Sequence, residues 1–246
     1  MKIKKEKKFW REVVRMSRHI KRIAAPKTWQ LLRKAKKYVI KPLSSQRIEH
    51  TIPIVLAIRD LLNYAKTASE VKKLLNEKQV MVDGKIVKDK KRGVALMDVV
   101  SFPKIKEHYR VLLNKQGKLY LKKITEQESK IKICKITAKK MIGKNKKQYT
   151  THDGRTIITD KDYKVSDSLV IEIPEQKITK HISFDKNKIG YVILGKYAGQ
   201  LGKIEEITQE MKRARVKIST KQGKIETLRK YVLIIGDEKP VISVEE

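Results

Sequence analysis

Charge constrains this chain more than any other feature. Sixty lysines and arginines stand against 27 aspartates and glutamates, a formal net charge of +33 over 246 residues. A folded body with that excess repels itself, and a bound polyanion relieves the repulsion. Nucleic acid suits the role, because each neutralised phosphate releases a condensed counterion. Hydrophobic residues make up 40% of the chain, enough for real cores, though small ones if divided among modules. No apolar run approaches the ~20 residues of a membrane-spanning helix, and the basic amino terminus lacks the apolar stretch of a secretory signal. The expectation is a cytoplasmic chain without a membrane partner. Its single cysteine, Cys134 in "IKICKI", is expected as a buried thiol in a strand. It cannot form an internal disulfide or a cysteine-based zinc site.

Basic residues are dense from the start, with sixteen Lys/Arg and only Glu6 and Glu12 among the first 41 residues. Arg11, Arg15, Arg18 and Arg22 recur at spacings of 4, 3 and 4, opposite Val13, Met16, Ile20 and Ile23. On a helix these sets lie on opposite sides, so the spacing predicts an arginine edge for a phosphate backbone, ended by Pro26. His19, Lys21, Lys27 and Trp29 complete a candidate RNA-contacting arm over residues 1–50, Trp29 as a base-stacking surface.

"TIPIVLAIRDLLNYAK" predicts a helix capped by Thr51 with Pro53 in its first turn. Thr67 and Glu70 predict a capping box that opens a second, short helix. Asp83-Gly84 between apolar residues signals a type I′ hairpin, since both central residues need positive φ. Val82 should oppose Lys85, and Met81 should oppose Ile86. The helices, this hairpin and "MDVVSF" form one unit over residues 51–103, with Lys72, Lys73, Lys85, Lys88, Lys90, Lys91 and Arg92 on its surface.

From Lys104 onward short strands alternate with Gly, Asn and Asp turns, which predicts sheets or barrels. Residues 104–180 read as a β-rich domain and 181–246 as a small barrel. The loop in "GKYAGQLGK" is no P-loop: three residues separate Gly195 from Gly199, and Ile204 follows Lys203. It offers Lys196, Tyr197 and Lys203 as contacts. The five histidines are scattered, and "THDGRT" reads as a turn, since a catalytic His–Asp pair needs an adjacent nucleophile. Neither an enzyme nor a metal, cofactor or small-molecule site is expected.

The Thr67–Phe102 stretch resembles the S-four RNA-binding module, and "NKIGYVILGKYAGQLGKI" resembles a KOW motif. With "HIKRIAAPKTWQL", "HYRVLLNKQGKLYL", "THDGRTI" and "LRKYVLIIGDEKPVIS", the order is similar to the archaeal and eukaryotic small-subunit ribosomal protein four-e family. The resemblance implies an α+β, multi-domain protein. It would have a basic arm that folds on its RNA, an S-four-type αα-hairpin/β module, a β-rich central domain and a KOW-type barrel. It implies ribosomal RNA and neighbouring small-subunit proteins as partners. It places Gly199 and Gly202 where a loop approaches RNA or a neighbour closely. An RNA-modifying enzyme and a KOW-bearing nucleic-acid-binding factor are the competing readings.

Overall fold

The computed structural model describes residues 19–142, 146–209 and 214–244; Arg11, Arg15 and Arg18 lie outside them. Strands dominate and the helices are short. β1 (His19–Lys21) pairs antiparallel with β2 (Tyr38–Ile40), and a single 3-10 turn, Arg22–Ala24, follows β1. The helix expected through Arg22 is therefore absent from its described part. Residues 19–50 are folded onto the rest of the chain. Trp29 is only 2% exposed and its Nε1 donates to the Thr51 carbonyl at 2.8 Å. Arg33 donates to the carbonyls of Ile23, Ala25 and Pro26, closing the loop between the two strands.

The helix expected from Thr51 starts later. Thr51–Pro53 is a strand, β3, whose partner is β6 (Gly93–Ala95). The Thr51 hydroxyl caps no helix and donates to the Arg47 carbonyl at 3.1 Å. Pro53 is extended and only Ile54–Leu56, α1, is α-helical; Ala57–Leu61 continues as a π turn. α2 (Ala68–Asn76) carries the expected capping box, with the Glu70 N–H donating to Thr67 Oγ1 at 3.2 Å and Glu70 reaching back to the Thr67 N–H. It turns Val71 and Leu75 into the core.

Asp83 at φ 49° and Gly84 at φ 72° both lie in the left-handed region. They close β4 (Met81–Val82) onto β5 (Lys85–Ile86) in the expected register. β4 also pairs with β7 (Val99–Phe102), then β8 (Glu107–Leu113) and β9 (Leu119–Ile124) extend the same sheet in the order β5-β4-β7-β8-β9. This sheet runs through residue 103, so the strands that follow the module are hydrogen-bonded to it. After α3 (Glu126–Ser129) a second antiparallel sheet forms. It comprises β10 (Ile131–Ile142), β11 (Lys146–Thr151), β12 (Thr156–Thr159), β13 (Ser168–Glu172) and β14 (Ile178–Ile182), in the order β12-β11-β10-β13-β14. The third contains β15 (Ile189–Val192), β16 (Leu201–Gln209), β17 (Ala214–Thr220), β18 (Gly223–Leu228) and β19 (Val232–Gly236), in the order β18-β17-β16-β15-β19.

One apolar cluster runs from Ala25 to Val244, and a smaller one around Cys134, Ile136, Tyr149 and Leu169 fills the second sheet. Polar contacts join the sheets. The Tyr191 hydroxyl donates to the Leu113 carbonyl at 2.7 Å and accepts the Leu113 N–H at 2.8 Å. Lys135 Nζ donates to the carbonyls of Arg229 and Lys230, each at 3.0 Å, and of Val232 at 2.6 Å.

Gly199 serves these joints, and Gly202 lies against the next strand of its own sheet. A Cβ on Gly199 would lie 1.9 Å from the Asn114 carbonyl oxygen, at a backbone φ of +88°. One on Gly202 would lie 2.4 Å from the Ser219 carbonyl oxygen. Where a close approach to RNA or a neighbour was expected, both glycines approach the chain's own backbone. Gly199→Ala combines left-handed strain with a backbone clash, and is expected to cost about 2–4 kcal/mol. Urea denaturation should show a lower midpoint at an unchanged slope.

Candidate nucleic-acid interface

The Lys88–Arg92 loop is built outward from a pinned backbone. The Leu43 N–H donates to the Lys91 carbonyl and the Ile54 N–H to the Arg92 carbonyl, both at 2.8 Å. The Asp89 side chain accepts the Lys91 N–H at 2.9 Å. Gly93 then passes so close to Thr51 and Ser44 that a Cβ would meet them at 2.5 and 2.7 Å. The main chain is thus held while Lys88, Lys90 and Arg92 are exposed and Lys91 is half-buried. Lys85 is exposed beside the hairpin turn, and Lys72 and Lys73 are exposed on α2, away from Val71 and Leu75. With its backbone already fixed, such an array of cations would lose only side-chain rotamer freedom on binding an anion.

The other sequence-derived contacts divide. His19, Lys21 and Lys27 are exposed, with His19 edge-on to Tyr38 at a ring separation of 4.6 Å. Lys196 and Lys203 are exposed, and the Lys196 ammonium lies 5.6 Å from the centre of the half-buried Tyr197 ring. Arg22 and Trp29 are buried. Trp29 has no face to stack on a base, because its indole is the apolar plug between the amino-terminal segment and β3. Arg22 Nε has no hydrogen-bond partner among the described residues.

What holds the hairpin was missed by sequence reasoning. Lys132, 1% exposed, places its ammonium 2.7 Å from Asp83, 2.5 Å from Asp98 and 3.1 Å from Asp153. Arg155 pairs with Asp83 and reaches Asp153 at 3.0 Å. Asp83 also accepts the Val99 N–H at 2.9 Å, and Asp98 accepts the Ala95 N–H at 2.8 Å. Burial alone would lower the Lys132 pKa, but Asp98 and Asp83 outweigh it and hold the pKa well above the usual lysine range. Burial pushes Asp98 up to about 6 against the pull of Lys132. Burial would raise the Asp153 pKa, but Lys132, His152, the Thr151 hydroxyl and Arg155 together outweigh it and hold the carboxyl below its usual range. One signal was available: in "IKICKI" Lys132 shares a strand face with Cys134, the residue expected inside.

The same region brings single ligand atoms of Cys134, His152 and Asp153 within 4.8 Å of one another. The Lys132 ammonium already stands beside Asp153 as its cation. His152 is pushed down to about 4 by burial, its Nδ1 accepting the Lys135 N–H at 3.1 Å. The arrangement braces a turn. Lys135, in contrast, is pushed down to about 7 by burial, with Arg229 adding repulsion, while three carbonyls surround its amine.

A β-rich, multi-domain chain with basic loops on a braced hairpin module is an RNA-binding type of protein. Comparison with known proteins gives the family. Residues 61–100 match the S4 domain, residues 105–178 the Ribosomal family S4e, and residues 16–44 the RS4NT (NUC023) domain. The small ribosomal subunit protein eS4 of Methanocella arvoryzae is 40% identical over 227 residues, covering 91% of this chain and 96% of that protein. Its counterpart in Methanocaldococcus jannaschii is 39% identical, covering 92% of this chain and 97% of the relative. The crystal structure of the 30S ribosomal protein S4e from Thermoplasma acidophilum superposes with a TM-score of 0.68 at 34% identity, covering 76% of this chain and 96% of that one. This chain belongs to the ribosomal S4e family.

Replacing Lys90, Lys91 and Arg92 together with alanine removes three candidate phosphate-contacting cations without touching the pinned backbone. Affinity for ribosomal RNA is expected to fall roughly tenfold to a hundredfold. Unfolding free energy should stay within about 0.5 kcal/mol of the parent. Filter binding and urea denaturation of the same variant check both parts.

Proposed function

We infer that this chain is a structural constituent of the small ribosomal subunit that binds ribosomal RNA and supports subunit assembly and translation. The observation that carries the reading is the match over nine-tenths of the chain to small ribosomal subunit proteins eS4. Its charge supports the same conclusion, since +33 calls for a large polyanion.

In this reading the module's exposed cations, Lys72, Lys73, Lys85, Lys88, Lys90, Lys91 and Arg92, meet phosphates. An A-form major groove is too deep and narrow for side chains to read, so contacts go to backbone and shape. His19, Lys21 and Lys27 are read as further contacts from the amino-terminal segment, and Arg11, Arg15 and Arg18, which lie outside the described residues, as RNA contacts on their sequence alone. The Gly195–Gly202 loop is read as KOW-type, the third sheet as a small barrel, and Lys196, Tyr197 and Lys203 as contacts to RNA or to a neighbouring small-subunit protein. The role is performed by binding, in the cytoplasm, on the ribosome. No helix among the described residues is long and apolar enough to cross a membrane.

Two measurements test this. The protein should co-sediment with small subunits from cell extract. With six to ten phosphate contacts, its affinity for ribosomal RNA should drop about 10³–10⁵-fold between ~50 and ~200 mM salt. A salt-independent affinity, or sedimentation apart from subunits, would contradict the reading.

A further inference from the structure

The β10-β11-β12 end of the second sheet has two unlike faces. Partners directly opposite in an antiparallel pair share a face, and successive rows alternate. Lys139 faces Tyr149, which faces Ile157, and Met141 faces Lys147, which faces Thr159. On that side Tyr149 is fully buried and Lys139 and Lys147 pair with Asp162, leaving only Met141 at the far end exposed among these rows' apolar residues. The rows between them point the other way: Ala138 with Thr150 and Thr156, Lys140 with Gln148 and Ile158, and Ile142 with Lys146.

That second face is open among the described residues. Ile142 is 41% and Ile158 59% exposed, and Lys140, Lys146 and Thr156 are exposed beside them. Its paired positions hold two lysines and no carboxylate; Asp160 follows just beyond the end of β12. Lys140 and Lys146 are diagonal neighbours, ~7–8 Å apart at their bases, within the reach of two flexible side chains to separate phosphates.

We propose that this face, formed by Lys140, Ile142, Lys146, Gln148, Thr156 and Ile158, is a second RNA-docking surface that takes the minor groove of paired RNA. The proposal rests on the RNA-binding role above and adds a surface which that role did not include. The chemistry selects the partner. The two lysines favour an anion. No aromatic side chain stands on the face, so the stacking that grips unpaired bases is missing. The A-form minor groove is wide, shallow and lined with 2′-hydroxyls. A three-stranded face fits against it, with Thr156 and Gln148 bonding hydroxyls, Ile142 and Ile158 covering riboses, and the lysines on flanking phosphates.

The buried Cys134 lets an introduced surface thiol be labelled selectively. An iron chelate that releases hydroxyl radicals is attached to Ile158→Cys, and separately to Lys90→Cys, in full-length protein reconstituted into small subunits. Cleavage of paired ribosomal RNA strands from position 158 is expected. In a second arm, Lys140→Glu combined with Lys146→Glu should weaken binding to ribosomal RNA at least tenfold with an unchanged melting temperature. Cuts from position 158 confined to a neighbouring protein or to unpaired RNA overturn the proposal. So does silence there while position 90 cuts RNA, or unchanged affinity of the double variant, and both leave the proposed function standing. Silence from both positions overturns the RNA-binding reading and this surface with it.

Discussion

A single buried ammonium holds the working parts of this protein in register. Lys132 belongs to the second sheet, Asp83 to the turn of the module's hairpin, Asp98 to the approach to β7, and Asp153 to the turn after β11. Removing such charges from water costs several kcal/mol each, recovered only when every partner is in place and each carboxylate has further donors. The Val99 and Ala95 amides and Arg155 supply those donors. The cluster is therefore complete or unfavourable. The hairpin cannot shift against the second sheet without stranding a charge.

This rigidity matters in a chain so positively charged. Its surface lysines repel one another whenever phosphates are absent, and the interior must withstand that repulsion. It does so with contacts that salt cannot screen. The Tyr191 hydroxyl clasps both backbone groups of Leu113, Lys135 ties the second sheet to the Val232 carbonyl of the third and to the Arg229 and Lys230 carbonyls just before it, and Trp29 plugs the amino-terminal segment into β3. A few cations are thus structural and inaccessible, while those of the Lys88–Arg92 loop rest on a backbone fixed from both sides.

Local chemistry was legible in the sequence where it alone decides conformation. Asp83-Gly84 fixed its hairpin register, and Thr67 with Glu70 fixed a helix start, because neighbouring residues satisfy both motifs. The helix expected from Thr51 failed because Thr51 and Ile52 find strand partners in Val94 and Ala95, which lie forty residues away. Trp29 and Arg22 were read as RNA contacts because composition cannot show which aromatic or cation a tertiary core will claim. Lys132 and Lys135 look like solvated strand residues until their partners, distant in sequence, are brought together. Gly199 was assigned to an external approach, since sequence records the need for a missing Cβ and not what occupies the space.

Equilibrium denaturation of Lys132→Met tests most directly whether this buried charge organises the fold. The side chain keeps its approximate volume, and three carboxylates lose their shared cation. The account predicts a loss of about 3–5 kcal/mol, with the hairpin and second sheet losing protection from hydrogen exchange together. A variant within about 1 kcal/mol of the parent, with that protection intact, would contradict it.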